Sequence, residues 1–187
     1  MKLERLLKLS ILVSMLIALV YLMPPIVMPF SGIPITLQTW MVLMIGLLLK
    51  PKEAFFAVMS YVILGALGLP IFSGQKGGMS VILGPTGGFI VAFPLVSMFV
   101  AVFKQKQSAI IKNTLISIVF MIIVLYAFAA LWFVSYLNMT YLNALFVLLP
   151  FVPFDLAKVL FANLIYQKLP LQLLNTQTVR TKEKKYE

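Results

Sequence analysis

The chain has 187 residues, of which 62% are hydrophobic and only 11% are charged, whereas a soluble protein carries about 25% charged residues. This composition indicates a membrane protein, and since one crossing takes ~20 apolar residues, the length allows about six crossings and no separate soluble domain. The chain contains no cysteine, no histidine and only five acidic residues, which excludes disulfides, thiolate and imidazole chemistry and the usual zinc and haem ligands, and disfavours an enzyme with paired carboxylates.

Six apolar segments follow one another along the chain, each apolar on all sides, as is typical of lipid-facing helices. The first follows a basic stretch, but no small-residue cleavage site succeeds it, so we interpret it as a span rather than a signal peptide. The segments cover about residues 9–23, 33–49, 54–72, 85–103, 113–137 and 141–167. The sequence therefore predicts an all-α integral membrane protein, a single transmembrane domain over residues 1–187 with six transmembrane helices, and a loose cytoplasmic tail over 175–187.

The basic residues lie between the apolar segments, so the net charge of +10 predicts an orientation and not a nucleic-acid interface. Lys and Arg in short loops collect on the cytoplasmic side. With both termini inside, 13 of the 15 basic residues face the cytoplasm, Lys76 lies in an outer loop and Lys158 lies within the sixth segment. The 13 are Lys2, Arg5, Lys8, Lys50, Lys52, Lys104, Lys106, Lys112, Lys168, Arg180, Lys182, Lys184 and Lys185.

Eight of the ten glycines lie between residues 65 and 88, in a connection predicted to face outward. Glycine permits positive φ and a close approach of backbone to a ligand, but also serves flexible loops and tight helix packing. The stretch Gly74-Gln75-Lys76-Gly77 does not match the phosphate-binding pattern G-x-x-x-x-G-K-[ST]. No nucleotide site is therefore expected in this chain.

Asp155 and Lys158 are the strongest candidates for a binding site. Three residues apart on a helix, they share one face, and ionisable groups within a span are costly and usually serve a site. Pro153 suits the first turn of a helix, which places the pair toward the outer half of the sixth span. A ligand with both hydrogen-bond donors and acceptors would suit one carboxylate and one ammonium. The alternative is a structural ion pair.

Three further features point to a ligand or a partner. Gln38 begins the second span at the outer face and could recognise an amide-like group, or simply contact water. Lys76 is the one outer basic residue and a candidate for a ligand carboxylate, or a solvated loop lysine. Ser10, Ser14 and Ala18 form a small-residue ridge along the first span, which suits close approach of a partner helix or packing within the bundle. No metal site is expected.

Five ordered motifs over residues 33–161 resemble the BioY family. They are Ile33-Pro34-Ile35-Thr36-Leu37-Gln38-Thr39, Leu47-Leu48-Leu49-Lys50-Pro51-Lys52, Gly65-Ala66-Leu67-Gly68-Leu69-Pro70-Ile71-Phe72, Gly84-Pro85-Thr86-Gly87-Gly88-Phe89 and Pro150-Phe151-Val152-Pro153-Phe154-Asp155-Leu156-Ala157-Lys158. That family comprises the biotin-binding S components of energy-coupling factor (ECF) transporters, small six-helix proteins that capture the vitamin on the outer face. The resemblance implies a multi-pass protein of the bacterial cell membrane, surrounded by lipid.

The resemblance also implies partners and residue roles. The partners are a transmembrane T component, met by the ridge of Ser10, Ser14 and Ala18, and two cytoplasmic ATPases that use ATP, while this chain binds no cofactor. Asp155 and Lys158 match positions implied to contact the ureido ring of biotin. The other residues predicted to bind the substrate, from the residues themselves or from the resemblance, are Gln38, Gln75, Lys76, Thr86, Gly87, Gly88 and Phe89. Some members carry an asparagine at the position of Lys76. Some also carry an arginine at the position of Ile90, and this chain therefore lacks that partner for the biotin carboxylate. Lys76 is the candidate that replaces it.

Other functions remain open on the residues alone. The chain could capture another vitamin, such as thiamin or riboflavin, since one carboxylate and one lysine do not distinguish them. It could instead be a non-transporting membrane assembly subunit whose ion pair is structural. An intramembrane enzyme is disfavoured because the residue inventory supplies no nucleophile with an adjacent base.

Overall fold

The computed structural model of the protein describes residues 3–27 and 34–170, which are largely helical. The helices are α1 (Leu3–Leu22), α2 (Gln38–Leu48), α3 (Pro51–Ala66), α4 (Met79–Ile82), α5 (Gly87–Phe103), α6 (Ile110–Ile118), α7 (Leu125–Leu137), α8 (Tyr141–Leu148) and α9 (Val152–Lys168). A π-helical segment, Val119–Val124, joins α6 to α7, and a 3₁₀ turn, Leu149–Phe151, joins α8 to α9. The strands β1 (Ile26–Val27) and β2 (Pro34–Ile35) pair antiparallel, with Ile26 opposite Ile35.

Each of the six predicted segments contains a helix, but the ends differ. The second helix begins at Gln38, because Pro34 and Ile35 are extended and pair with β1. The all-α prediction did not include this short ladder. The third helix ends at Ala66 instead of residue 72, because Gly68 has a φ of +106° and leaves the helical path. The predicted tail, 175–187, lies outside the described residues.

Two helical stretches in the described part of the chain are long and apolar enough to cross a membrane. They are Ile110–Leu137 and Tyr141–Lys168, with 28 residues each. Shorter apolar helices cover Val13–Leu22, Gln38–Leu48 and Gly87–Phe103. In the second long stretch, Pro150 lies in the 3₁₀ turn and Pro153 in the first turn of α9, where a proline leaves no helical hydrogen bond unmade. The sixth predicted segment is therefore helical throughout.

Helix α2 lies at the centre of the packing, in contact with α5, α9, α3 and α1. Met41, Val42 and Ile45 are fully buried, so α2 is apolar on every side because every side meets another helix. A β-carbon on Gly46 would lie 2.8 Å from the carbonyl oxygen of Ser97 on α5, so glycine is what lets these two helices approach. This packing holds the first turn of α2 beside α9.

The loop between α5 and α6 contacts the C-terminal ends of both α2 and α9. The ammonium of Lys104 donates to the carbonyl oxygens of Gly46 (3.0 Å), Leu47 (2.7 Å) and Leu49. The side-chain amide of Gln107 donates to carbonyl oxygens at the end of α9, including Leu169 O at 2.7 Å. The carbonyls that a helix leaves unpaired at its end thus find donors. Burial lowers the pKa of Lys104 to about 8, partly opposed by Glu53.

Candidate functional site

Asp155 and Lys158 form an ion pair on one face of α9, as their spacing predicted. Lys158 Nζ lies 2.7 Å from Asp155 Oδ1, and the two side chains are only 14% and 10% exposed. A charged pair taken out of water is costly unless each charge is well hydrogen-bonded. The surroundings of the pair therefore decide what it can do.

Two residues that the sequence analysis did not single out complete the polar cluster. Thr39, in the first turn of α2, donates to Asp155 Oδ1 at 3.2 Å and accepts from Lys158 Nζ at 3.2 Å. Tyr126, on α7, donates its hydroxyl proton to Asp155 Oδ2. Thr39 stands beside Gln38 in a quoted motif and could have been found from it. No sequence feature indicated that Tyr126 belongs to the site, because a single tyrosine in an apolar segment is ordinary.

Counting donors and acceptors shows what the cluster has left for a ligand. A carboxylate accepts about four hydrogen bonds and an ammonium donates three. Asp155 accepts from Lys158, Thr39 and Tyr126, so Oδ2 retains room for one more donor. Lys158 donates to Asp155 and Thr39, which leaves one proton. The cluster can thus accept one hydrogen bond from a ligand and donate one to it.

Gln38 belongs to the same site through a second set of contacts. It is 7% exposed, and its Nε2 donates to the hydroxyl of Tyr61 on α3 at 2.8 Å. Tyr61 in turn donates to the carbonyl oxygen of Ile71 at 3.2 Å. The hydroxyl of Thr36 lies 3.4 Å from Gln38 Oε1. The sequence analysis left open whether Gln38 meets water or a ligand; in the structure it is buried and oriented by the protein.

One cavity between α2, α5, α7 and α9 is lined by all of these polar side chains except Tyr61. The cavity, together with the solvent-filled space at its mouth, holds about 470 Å³ that protein atoms do not occupy. Apolar and aromatic groups form most of the wall. The lining residues are Pro34, Ile35, Thr36, Gln38, Thr39, Thr86, Phe89, Ile90, Phe93, Tyr126, Phe151, Asp155 and Lys158.

The predicted outer-loop residues divide into two groups. Thr86 and Phe89 line the cavity with Asp155. Gln75 and Lys76 do not line it: both are exposed, in a loop where Gln75 has a positive φ of 57°. Their role at a ligand stays a prediction.

Gly87 and Gly88 are buried against protein rather than against the cavity. A methyl group on Gly87 would overlap the carbonyl oxygen of Ile82, and one on Gly88 would overlap the side chain of Trp132. Trp132 also donates its indole proton to the carbonyl oxygen of Gly84 at 2.9 Å. The Gly-Gly motif thus lets α5 start close to α7, next to Thr86 and Phe89.

The small-residue ridge lies on the outward face of α1. Ser10, Ser14 and Ala18 are exposed, while Leu16 and Val20 on the opposite face are buried. The ridge therefore does not pack inside the bundle of described residues.

Among the described residues, no three Asp, Glu, His or Cys side chains come together in a way that could hold a metal ion. The polar groups of the site are instead one carboxylate, one ammonium, an amide and hydroxyls, which together supply both hydrogen-bond donors and acceptors.

The chain matches the BioY family model over residues 1–174. It is 42% identical to a probable biotin transporter BioY of Pyrococcus horikoshii over 95 residues, 51% of this chain and 59% of that protein. It is 37% identical to a probable biotin transporter BioY of Bacillus subtilis over 113 residues, 59% of this chain and 61% of that protein. The matched region thus spans about three-fifths of each relative's length.

The fold is also similar to a solved structure, described as the S-component for biotin from an ECF-type ABC transporter. The TM-score is 0.82 and the sequence identity 27%, over 88% of this chain and 89% of that one. These matches are transport proteins and not enzymes, and they confirm the resemblance that the five motifs carried. The chain belongs to the BioY family of membrane proteins.

Proposed function

We propose that this protein is the substrate-capture (S) subunit of an ECF-type vitamin transporter, and that its ligand is biotin. The observation that carries the proposal is the buried cluster of Asp155, Lys158, Thr39 and Tyr126 at the wall of a largely apolar cavity. The named relatives and the similar solved structure, all described as proteins for biotin, support the same ligand.

The chemistry of biotin fits the groups that the cluster leaves available. Its ureido ring carries N–H donors beside one carbonyl, and the rest of the bicycle is apolar. Asp155 Oδ2 accepts from one N–H, and the remaining proton of Lys158 goes to the ureido oxygen, both as charge-assisted bonds. Phe89, Phe93 and Phe151 cover the apolar rings. Lys76 remains the candidate for the biotin carboxylate, reached from its exposed loop.

The membrane arrangement is part of the proposal. The six helical segments each cross the cell membrane, with both termini in the cytoplasm and the cavity opening outward, as the positions of the basic residues indicate. A transmembrane T component docks on the ridge of Ser10, Ser14 and Ala18, of which Ser10 and Ser14 line an open groove between α1 and α3. Two cytoplasmic ATPases supply the energy that reorients the bundle and releases biotin inward.

Calorimetric titration of the purified protein with biotin tests the proposal. Asp155→Asn keeps the shape but removes the charge, so biotin binding should weaken by about 1.5–3 kcal/mol, or roughly ten- to a hundredfold. Thiamin and riboflavin serve as matched ligands and should give no binding heat. Equal affinity of wild type and variant for biotin, or tighter binding of either other vitamin, would contradict the assignment.

A further inference from the structure

The amide of Gln38 is held in one of its two orientations by Tyr61. The Tyr61 hydroxyl has one proton, which it donates to the carbonyl oxygen of Ile71, so toward Gln38 it can only accept. The amide nitrogen must therefore face Tyr61, at 2.8 Å. Tyr61 itself is 1% exposed and meets the ring of Phe72 edge-on, with centroids 5.4 Å apart. Because this tyrosine is packed on all sides, it fixes the orientation of the amide.

This orientation turns the oxygen of Gln38 toward the cavity. The polar neighbour of Oε1 is Thr36, which lines the cavity, whereas Tyr61 on the nitrogen side does not. The Thr36 hydroxyl lies 3.4 Å away, long for a hydrogen bond between oxygens, whose usual length is about 2.7–2.8 Å. Oε1 therefore retains the capacity to accept a hydrogen bond from a ligand.

The polar groups share one cavity. Asp155, Lys158 and Gln38 all line it, and Lys158 contacts both Asp155 and Thr39. The wall thus presents an acceptor at Asp155, a donor at Lys158 and a second acceptor at Gln38. A ligand with a carbonyl between two N–H groups can use all three.

We infer that Gln38 accepts the second N–H of a cyclic urea and that Tyr61 is the positioning residue that makes it do so. This inference rests on the proposed function, since it assigns a partner to the ureido group of biotin. Lys76 cannot take this part, because an ammonium donates hydrogen bonds and accepts none.

Two analogues of biotin test the inference on the unaltered protein. In each, a CH₂ group replaces one of the two ureido N–H groups, which turns the urea into a lactam. If both N–H groups have acceptors, the analogue that lacks the N–H facing Gln38 should bind about three- to tenfold more weakly than biotin. The analogue that lacks the N–H facing Asp155 should bind about ten- to a hundredfold more weakly, because that bond is charge-assisted. An analogue that binds as tightly as biotin would overturn the inference and leave the proposed function intact. Absence of biotin binding itself would overturn both.

Variants then assign the acceptor. Gln38→Met keeps the length of the side chain without its polar atoms, and should lower the affinity for biotin about three- to tenfold. Relative to the wild type, the variant should have an unchanged affinity for the analogue that lacks the N–H facing Gln38, and a lower affinity for the other analogue. Equal losses with both analogues, or none with biotin, would overturn the assignment.

The role of Tyr61 is tested by coupling. Tyr61→Phe should weaken biotin in the wild-type background but have no further effect on Gln38→Met, because it acts through the amide. Full additivity would overturn the positioning role. Tyr166→Phe is the matched control, a buried tyrosine near the far end of α9, and should bind biotin as the wild type does. Thermal unfolding of each variant verifies that it is folded before titration.

Discussion

Replacing Lys158 by methionine removes the ammonium and keeps the length of the side chain, which leaves the carboxylate of Asp155 buried without its ion-pair partner. Breaking a buried pair in this way costs about 3–5 kcal/mol of unfolding free energy. Thr39 and Tyr126 still donate to Asp155, so we expect a loss near 3 kcal/mol. The double variant Asp155→Asn/Lys158→Met removes both charges, and its loss should be smaller than that of Lys158→Met alone.

Denaturant unfolding in detergent measures these losses, and calorimetric titration with biotin measures the consequence for binding. The double variant should be folded and fail to bind biotin, because it lacks both charged groups that hydrogen-bond the ureido ring. A double variant that binds biotin as tightly as wild type would refute this reasoning, since the pair would then be structural. An equal or larger loss of stability in the double variant would refute the account of the unpaired carboxylate.

Three further predictions concern the packing, the pH dependence of stability and the orientation in the membrane. Gly87→Ala should strongly lower the thermal stability, because the methyl group would overlap the carbonyl oxygen of Ile82. Gly68→Ala is the control: it introduces backbone strain at a φ of +106°, but its methyl group meets nothing within 4 Å. The pKa of Lys104 is lowered from 10.5 to about 8, so between these pH values the unfolded chain holds more protons and the stability should rise with pH. Unfolding curves at several pH values should show this rise for wild type and not for Lys104→Met. Tags at either terminus should resist labelling by a membrane-impermeant reagent on intact cells, and labelling of either tag would contradict the proposed orientation.

Hydropathy and helix spacing predicted the parts of the fold that depend on local patterns. Each apolar segment contains a helix, and the three-residue spacing of Asp155 and Lys158 placed both on one face of α9. The helix ends were less predictable. Apolar residues continue beyond Ala66, so hydropathy extended that segment to residue 72, whereas the backbone at Gly68 ends it earlier.

The site was only partly predictable, because its completion depends on contacts between distant residues. Asp155 stood out as a rare buried charge, and the motifs named Gln38, Thr86 and Phe89. Tyr126 reaches Asp155 from 29 residues away, and this pairing follows from the packing of α7 against its neighbours.

The role of the two glycines in the stretch Gly87-Gly88-Phe89 could not be predicted from the sequence. A glycine pair beside a site is as suitable for ligand contact as for close helix packing. The structure places Gly87 and Gly88 against Ile82 and Trp132. Only the three-dimensional neighbours distinguish the two uses, since neither leaves a distinct trace in local sequence.

The central claim, capture of biotin for transport, is tested most directly by uptake of radiolabelled biotin into cells that lack their own biotin uptake. The cells produce this chain together with a T component and two ATPases. The account predicts accumulation of label with the wild-type chain, and background levels with Asp155→Asn/Lys158→Met in its place. Background uptake with the wild-type chain, when all subunits are present in the membrane, would contradict the account.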